Sequence, residues 1–524
     1  MYGMKIYAHI KFSNIFHGNL NVTFAKAVTT RFICYQRSRI GQGFSGNTFC
    51  GTNSVDKKRL HLSLRTRSKM AEPSVTKSIE KRIFRFSDYD CIGFDLDNTI
   101  LRYRLTEMVK LEYNVLANFL VTEKGYDATY LLKPMESNID FLQKGLVLDF
   151  FQGNVLQLRN DGAILRACHG TRFMTDNEIK EVYGADKKWE TSVAFTQNML
   201  EYWNGPLAER IRTVSDYFDM PAALAFARII DSLDAKEGVK QDAYYVWPDV
   251  LDGLLYMFKR DHFSLNEGGY FPALKENPSN YIHKCSNNII NWLKQIKSNK
   301  MIYLITGSNV DFASFTASTA LGENWRSLFD IVVCYARKPG FFTGARPFIK
   351  INGFEETDPI DGNNLERGGI YSQGNWQELL QFLSRQTGIE HPKCLYVGDN
   401  LIQDVYVPSE YTKCDAVAVV EELGAEGMDN VGSYPHIDTP VLASTKWGSY
   451  FGDKETQYVG NSFWSDIIKK HSKICVPDLE VLANLPLNYE FHTFSHGDCM
   501  SENLGYYPGC PQGLSPNKRA AQQQ

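Results

Sequence analysis

The chain has 524 residues, of which 43% are hydrophobic, 13% aromatic and 22% charged, and this composition excludes an intrinsically disordered protein. Its net charge of -4 is uneven, because residues 1–70 hold 12 basic residues and one acidic residue, whereas the remainder holds 44 basic and 59 acidic residues. An acidic body argues against nucleic acid as a partner, and the lack of an apolar run of about 18 residues argues against a membrane span. By length we expect roughly two to four domains.

Residues 1–70 are rich in Lys, Arg, Ser, Asn and Gly, which is typical of a mitochondrial transit peptide. A second start-like sequence begins at Met70, directly before the first predicted strand. Three interpretations stay open for residues 1–70: a targeting segment, an extension that is not translated, and a disordered arm. The 11 cysteines form no C-x-x-C pair, which indicates a reducing compartment without a zinc site. We expect a cytoplasmic protein, or a mitochondrial one if residues 1–70 act as a transit peptide.

The first strand is predicted at Cys91–Phe94, and it runs directly into Asp95 and Asp97. Side chains alternate along a strand, so these two carboxylates serve one site only if the strand ends there and the backbone turns. Ligands of open α/β sheets bind at the carboxyl ends of the strands. The pattern therefore predicts a site at this strand end.

The stretch from 106 to 285 has the pattern of an inserted α+β cap domain. A helix with apolar residues at helical spacing follows the first strand, around 111–120. Three short strands are then predicted at 146–148, 155–158 and 164–167, with an Asp-Gly hairpin signal between the last two. The remainder is mostly helical, including helices over 222–233 and 250–258.

A doubly wound parallel α/β sheet is predicted from residues 85–105 and 286–425. An amphipathic helix over 286–300 leads into the continuous apolar run Met301–Ile305, as expected for a buried parallel strand. Further strands are predicted at 331–334, 394–397 and 416–420, and the helix over 376–386 lies between two of them. This alternation is typical of a doubly wound sheet. After Glu421 the sheet signals stop, so we expect an aromatic-rich arm over 426–504, with a helix over 464–471, and a disordered tail over 505–524.

Each predicted parallel strand ends in polar residues. In an open α/β sheet the carboxyl ends of the strands border one crevice, where ligands bind, so we expect these polar residues to share one site. This set suits phosphoryl transfer, because a carboxylate can attack phosphorus and a second one can move the proton. A lysine and a small hydroxyl-bearing turn can bind the phosphoryl oxygens, and carboxylates can hold the Mg²⁺ that offsets the repulsion between anions. The residues are Asp95, Asp97, Thr306, Gly307, Ser308, Lys338, Asp399 and Asp404.

These motifs, in this order, resemble those of the haloacid dehalogenase superfamily of phosphatases. Within it, longer stretches resemble the cytosolic purine 5'-nucleotidase group, and the resemblance covers roughly residues 88 to 495. Those stretches are 94–103, 145–149, 153–154, 168–170 and 337–342.

The resemblance implies a haloacid dehalogenase Rossmann-like core, a Mg²⁺ cofactor and hydrolysis of a nucleoside 5'-monophosphate. Asp95 would be the nucleophile and a metal ligand, and Asp97 the general acid/base that gives its backbone carbonyl to the metal. Asp399 would be the third protein ligand, while Thr306 and Lys338 would bind the phosphate. Asp404 would orient Lys338 or a metal-bound water.

Two departures from the purine nucleotidases limit what can be transferred. They carry Thr-Asn-Ser where this chain has Gly307 in the middle position, so an amide near the phosphate is missing. They also carry an Arg and an Asp in the base-reading segment, where this chain has Leu251 and Leu255. The base therefore stays open, and so does the number of identical chains in an oligomer. A phosphatase for another small phosphate ester and a weakly active binding or regulatory protein remain alternatives.

Overall fold

The computed structural model describes residues 83–428, 438–452, 461–494 and 505–511. The predicted extension, residues 1–70, and the predicted tail beyond residue 511 lie outside these ranges. Among the residues described, no helix is both long and apolar enough to cross a membrane.

The strands of the described residues form three sheets, of which the largest has nine strands. The strands at the middle of this sheet consist entirely of buried residues. In chain order the strands are β1 Ile83–Phe84, β2 Cys91–Phe94, β3 Val147–Asp149, β4 Asn154–Leu158, β5 Ile164–His169, β6 Arg172–Phe173, β7 Ile211–Thr213, β8 Met301–Ile305, β9 Ile331–Cys334, β10 Phe348–Asn352, β11 Glu355–Ile360, β12 Gly369–Gln373, β13 Cys394–Gly398, β14 Asp415–Val419, β15 Cys475–Val476 and β16 Phe491–His492.

The nine-stranded sheet has the order β11-β10-β12-β9-β8-β2-β13-β14-β15. All neighbours from β12 to β15 pair in parallel, whereas β10 and β11 are antiparallel at one edge. Side chains of β8 alternate between two apolar cores, with Ile302 and Leu304 in one and Tyr303 and Ile305 in the other. Both faces of the sheet are therefore covered, as parallel sheets require, and the predicted doubly wound α/β class is confirmed.

Gly93 at the middle of β2 allows the central strands to pack around a tyrosine. A Cβ at this position would lie only 2.0 Å from the ring of Tyr303 on the neighbouring strand, so a larger residue cannot fit. The Tyr303 ring stacks on Tyr396 of β13 at 6.3 Å between centroids. This packing fixes β2, β8 and β13 against one another, and these are three of the strands whose ends carry the candidate site.

The helices predicted at 286–300, 376–386 and 464–471 are present, and no end is shifted by more than one residue. The first of them begins after Ser286, whose side chain accepts a hydrogen bond from the backbone N–H of Ile289, as an N-cap does. In chain order the helices are α1 Leu105–Thr122, α2 Ala128–Leu131, α3 Asp176–Tyr183, α4 Glu190–Gln197, α5 Glu201–Asn204, α6 Met220–Glu237, α7 Trp247–Met257, α8 Arg260–Leu265, α9 Tyr270–Glu276, α10 Asn287–Asn299, α11 Val310–Leu321, α12 Gly340–Thr343, α13 Trp376–Thr387, α14 Val407–Thr412, α15 Glu422–Ala425, α16 Thr439–Leu442, α17 Phe463–His471 and α18 Glu480–Ala483.

Between β2 and β8 the chain leaves the central sheet, and we call residues 105–285 the insert. The insert contains a five-stranded antiparallel sheet of order β6-β5-β4-β3-β7. The predicted Asp-Gly hairpin joins β4 to β5, and Gly162 there has a φ of 81°, which favours glycine. The sequence predicts three of these strands and misses β6 and β7, which are too short to show alternation. The predicted domain boundaries stay predictions.

The C-terminal region contributes more to the sheets than the sequence predicts. No strand is expected after Glu421, whereas β15 pairs in parallel with β14 and forms an edge of the large sheet. Residues 505–511, predicted as part of a disordered tail, instead lie beside β15, where Tyr507 N donates to Cys475 O at 3.1 Å and Tyr506 is buried. Two-residue strands carry no periodic signal, so only their pairing partners reveal them.

Candidate active site

The candidate site lies at the carboxyl ends of four neighbouring parallel strands. Asp95 follows β2 and Asp399 follows β13, while Thr306 follows β8 and Lys338 comes four residues after β9. The backbone N–H of Asp95 still donates to Val397 O at 2.9 Å. Beyond it the chain turns, with Asn98 in the left-handed region at a φ of 55°. The strand therefore ends where the two-aspartate pattern requires.

Asp97 is held by hydroxyl donors from two directions. Tyr103 OH donates to Asp97 Oδ1 at 2.7 Å, and Ser308 Oγ donates to Asp97 Oδ2 at 2.7 Å. Thr306 Oγ1 is also 3.4 Å from Asp97 Oδ2. In this arrangement Ser308 and Thr306, predicted as phosphate ligands, help to orient the candidate general acid. Tyr103 carried no catalytic signal in the sequence beyond its nearness to the aspartate motif.

Lys338 connects two of the carboxylates. Its Nζ lies 2.8 Å from Asp95 Oδ1 and 2.6 Å from Asp404 Oδ1, and it also donates to Tyr396 OH at 3.4 Å. All of these groups are buried. The lysine predicted to bind phosphate therefore points directly at the predicted nucleophile.

Asp404 reaches this site because of a glycine at the end of β13. A Cβ on Gly398 would lie 2.4 Å from the Cβ of Asp404, so any side chain there would displace it. The backbone N–H of Asn400 donates to Asp404 Oδ2 at 3.2 Å. Both carboxyl oxygens of Asp404 are thus occupied, one by Lys338 and one by the backbone.

Asp95, Asp399 and Asp404 form a buried group whose carboxyl oxygens lie within 4.8 Å of one another, a spacing that can hold a metal ion. Thr99 Oγ1 lies 3.4 Å from Asp399 Oδ1. The other oxygen, Asp399 Oδ2, is buried without a hydrogen-bond partner among the described residues. A buried carboxylate oxygen without a partner is costly, and a cation would satisfy it.

Crowded carboxylates shift the acid–base properties of the site. Burial, together with the negative charge of Asp95, raises the pKa of Asp97 to about 6, although the hydrogen bonds from Ser308 and Tyr103 oppose the rise. Burial likewise raises the pKa of Asp404 to about 7 against the Lys338 ammonium. Burial raises the pKa of Asp399 well above its usual range. Such shifts are common where acid–base chemistry is done.

The insert brings two charged residues to the site that the sequence did not single out. Asp216 and Lys144 both act on the pKa of Asp399, the first raising it and the second lowering it. Burial raises the pKa of Asp216 itself to about 6. Neither residue lies in a strand-end motif, so only the tertiary structure identifies them. The roles assigned from the resemblance to all the site residues remain predictions.

Gly307 lies in open space. A Cβ built on it meets no heavy atom within 4 Å, and Ser308 N, next in the chain, donates to Thr306 Oγ1 at 3.1 Å. Leu251 and Leu255, at the predicted base-reading positions on α7, are partly buried against the main apolar core. The chain therefore has space at Gly307, and apolar side chains at the two predicted base-reading positions.

Comparisons with known proteins identify the relatives of this chain. The 5' nucleotidase family matches residues 81–432, more than half of the chain. 5'-nucleotidase domain-containing protein 1 of Homo sapiens is 36% identical over 464 residues, covering 83% of this chain and 98% of that protein. The protein of the same name from Bos taurus is 35% identical and covers 82% and 97%. 5'-nucleotidase domain-containing protein 2 of Rattus norvegicus is 27% identical and covers 61% and 54%.

Among solved structures, an HAD-hydrolase named YfnB from Bacillus subtilis, bound to magnesium, matches 64% of this chain and 89% of that chain. Its sequence identity is 11% and the TM-score is 0.22. This similarity is too weak to support a residue-level comparison.

Proposed function

The chain belongs to the 5' nucleotidase family, which makes it a hydrolase of phosphoric monoesters, and from this premise we propose how it acts. We propose a Mg²⁺-dependent phosphatase that removes phosphate from a nucleoside 5'-monophosphate through an aspartyl-phosphate intermediate. The observation that carries the proposal is the 2.8 Å contact between Lys338 Nζ and Asp95 Oδ1 at the carboxyl end of β2. It places a fixed positive charge at the atom that would attack phosphorus.

In the first step an oxygen of Asp95 attacks phosphorus and the bond between phosphorus and the 5' oxygen breaks. Asp97 gives its proton to the departing 5' oxygen, which leaves as the nucleoside hydroxyl. In the second step Asp97 takes a proton from water, the resulting hydroxide attacks phosphorus, and Asp95 departs as a free carboxylate with release of phosphate. A raised pKa of about 6 for Asp97 supports the proton-donor role, because a carboxyl group with an ordinary pKa is almost never protonated near neutrality.

The donor set fits a hard divalent cation. Asp95 and Asp399 would hold Mg²⁺ with their side chains, and Asp97 with its backbone carbonyl, because carboxylate and carbonyl oxygens are the ligands this ion prefers. The unpartnered Asp399 Oδ2 supports the assignment. When bound, the ion supplies positive charge that offsets the repulsion between a carboxylate and a phosphate. Lys338 and Thr306 then complete the phosphate-binding groups.

A nucleotide is the favoured substrate because of the family. The base and the sugar are left open, since Leu251 and Leu255 offer apolar contacts in place of charged ones. A second candidate, a phosphatase for another small phosphate ester, rests on the same two residues. A cytoplasmic location, or a mitochondrial one if residues 1–70 act as a transit peptide, belongs to the proposal, whereas the oligomeric state stays open.

A phosphate-release screen tests the proposed function. Purified protein with Mg²⁺ is assayed against nucleoside 5'-monophosphates and sugar phosphates, beside Asp95→Asn and a matched exposed control, Asp358→Asn. We expect turnover of at least one nucleotide by the wild type and by the control, and a loss on the order of 10³-fold or more in Asp95→Asn. Transient labelling of Asp95 by ³²P-labelled substrate checks the intermediate. Absence of turnover with every ester, or an unchanged rate in Asp95→Asn, would overturn the proposal.

A further inference from the structure

A buried charge pair joins the insert to the unit built on the nine-stranded sheet, which carries the candidate catalytic residues and which we call the sheet unit. Lys144 lies three residues before β3, and its Nζ is 3.5 Å from an oxygen of Glu422, which begins α15 just after β14. Both side chains are 1% exposed. A lysine and a glutamate are rarely buried so completely, and burying two charges costs several kcal/mol that a pair at this distance only partly recovers.

Tyr217 closes the same contact from a second segment of the insert. Its ring centroid is 4.0 Å from Lys144 Nζ, and its hydroxyl donates to Glu422 Oε2 at 2.9 Å. The two insert segments lie side by side, since Gly145 N donates to Val214 O at 2.6 Å. An ammonium over an aromatic face is attracted to the ring. Two side chains of the insert, Lys144 and Tyr217, thus contact one carboxylate of the sheet unit, that of Glu422.

The contact leaves polar atoms without partners. Within the part of the chain that the structure describes, Lys144 Nζ and Glu422 Oε1 have no hydrogen bond, and neither does Asp399 Oδ2. Apolar residues of similar size would join the two units at lower cost. Stability alone therefore does not explain why a lysine occupies this position, whereas a role in the reaction would explain it.

The contact is also close to the catalytic carboxylates. Glu422 follows β14, which pairs with β13, and Asp399 follows β13. Lys144 is therefore an insert residue whose charged partner follows the strand next to the one that carries Asp399.

We propose that Lys144 is a positioning residue of the phosphatase reaction. Through Glu422 and Tyr217 it fixes the insert relative to the strand ends. This inference rests on the proposed function, because a positioning residue needs a reaction to position. Lys144 lies outside the four strand-end motifs, so the inference adds a new residue to those on which the proposed reaction depends.

The test compares Lys144→Met, which keeps the length and removes the charge, with Lys144→Arg, which keeps the charge. Lys236→Met, an exposed lysine on α6 of the insert, is the matched control. With the best nucleotide from the screen, we expect kcat per folded molecule to fall about 10-fold or more in Lys144→Met, with KM changed less than threefold. Lys144→Arg should recover most of the loss, and Lys236→Met should match the wild type.

Glu422→Gln and the double variant with Lys144→Met show whether the two residues act together. If Lys144 acts through Glu422, the double variant loses no more activity than the stronger single variant. A purely structural role would lower the melting temperature but leave kcat per folded molecule unchanged. A kcat for Lys144→Met within twofold of wild type, or losses that multiply in the double variant, would overturn the inference.

Hydrogen–deuterium exchange gives a readout that does not need activity. Peptides containing Tyr217 and Glu422 should exchange faster in Lys144→Met than in the wild type, and at the wild-type rate in Lys236→Met. A wild type without turnover would overturn the proposed function and, with it, the part of the inference that concerns the reaction. Unchanged exchange together with unchanged kcat, in an active wild type, would overturn the role of Lys144 alone.

Discussion

Lys338 and Asp404 form an ion pair, with 2.6 Å between Nζ and Oδ1, at a position closed to solvent. The same ammonium lies 2.8 Å from Asp95 Oδ1, so Asp404 fixes the direction in which the lysine points. A charge held in place before reaction stabilises developing charge without having to reorganise. We therefore expect Asp404 to act on the proposed reaction through Lys338.

Replacing Asp404 by Asn should therefore weaken catalysis while leaving the nucleophile intact. We expect kcat to fall roughly 10-fold to 100-fold, because Lys338 loses its charged partner Asp404 and keeps only its contacts with Asp95 and Tyr396. The melting temperature should also fall, since one partner of a buried pair is removed. Steady-state kinetics and thermal unfolding measure the two effects. Asp358→Asn serves as the exposed control, and an unchanged kcat in folded Asp404→Asn would contradict the assignment.

Gly307→Asn should raise turnover. The position is open to a Cβ, and the resembled nucleotidases carry an amide there that can bind phosphate or the attacking water. One hydrogen bond of about 1 kcal/mol corresponds to a gain of roughly fivefold in kcat. Gly307→Ala fills the space without supplying the amide, so it should leave kcat near that of the wild type. Equal effects of Ala and Asn would show that the amide is not what matters.

Tyr103→Phe should shift the pH dependence of the reaction. The hydrogen bond from Tyr103 lowers the pKa of Asp97, so its loss raises that pKa. A general acid works when protonated, and activity falls as pH rises through its pKa. The falling limb of kcat/KM against pH should therefore move to higher pH in Tyr103→Phe, by roughly half a unit to one unit. The exposed Tyr245→Phe should leave the limb in place, and a shift to lower pH would refute the argument.

Removing the metal should abolish activity and lower stability. A chelator should stop phosphate release, and Mg²⁺ should restore it. Binding to the folded state alone stabilises it, so saturating Mg²⁺ should raise the melting temperature by roughly 3 °C or more. In Asp399→Asn this rise should shrink, while the metal-free melting temperature should increase, because a buried carboxylate without a partner is gone. A full Mg²⁺-dependent rise in Asp399→Asn would exclude this residue as a ligand.

Arg228→Met should destabilise the insert without touching the reaction. The Arg228 guanidinium is 2% exposed and donates to Tyr113 OH, to the backbone oxygens of Lys133 and Pro134, and to two further side chains. The change leaves the buried Tyr113 hydroxyl and several part-buried acceptors without this donor, which should cost about 2–5 kcal/mol. Chemical denaturation measures the loss, and Arg172→Met, which removes an exposed pair with Glu178, should cost much less, because solvent screens an exposed ion pair. A similar cost for both variants would refute the assignment of Arg228.

Local sequence patterns were enough to predict the parallel sheet and the edge at which the candidate site lies. Continuous apolar runs such as Met301–Ile305 mark buried parallel strands, and the polar residues after them, from Asp95 to Asp399, must meet at the carboxyl edge. These are local signals: each needs only a strand and the few residues that follow it. Helix ends were predictable for the same reason, as the cap at Ser286 shows.

The tertiary structure alone decided which side chains support those residues. Ser308 donates to Asp97, and Lys144 of the insert pairs with Glu422, because the fold brings together segments far apart in the chain. Short edge strands such as β15 are likewise defined only by the strand they pair with. Periodicity reports how a segment relates to its own neighbours in sequence. It carries no information on which distant segment supplies the partner of a buried charge, and at this site those partners set the charge and direction of the reacting groups.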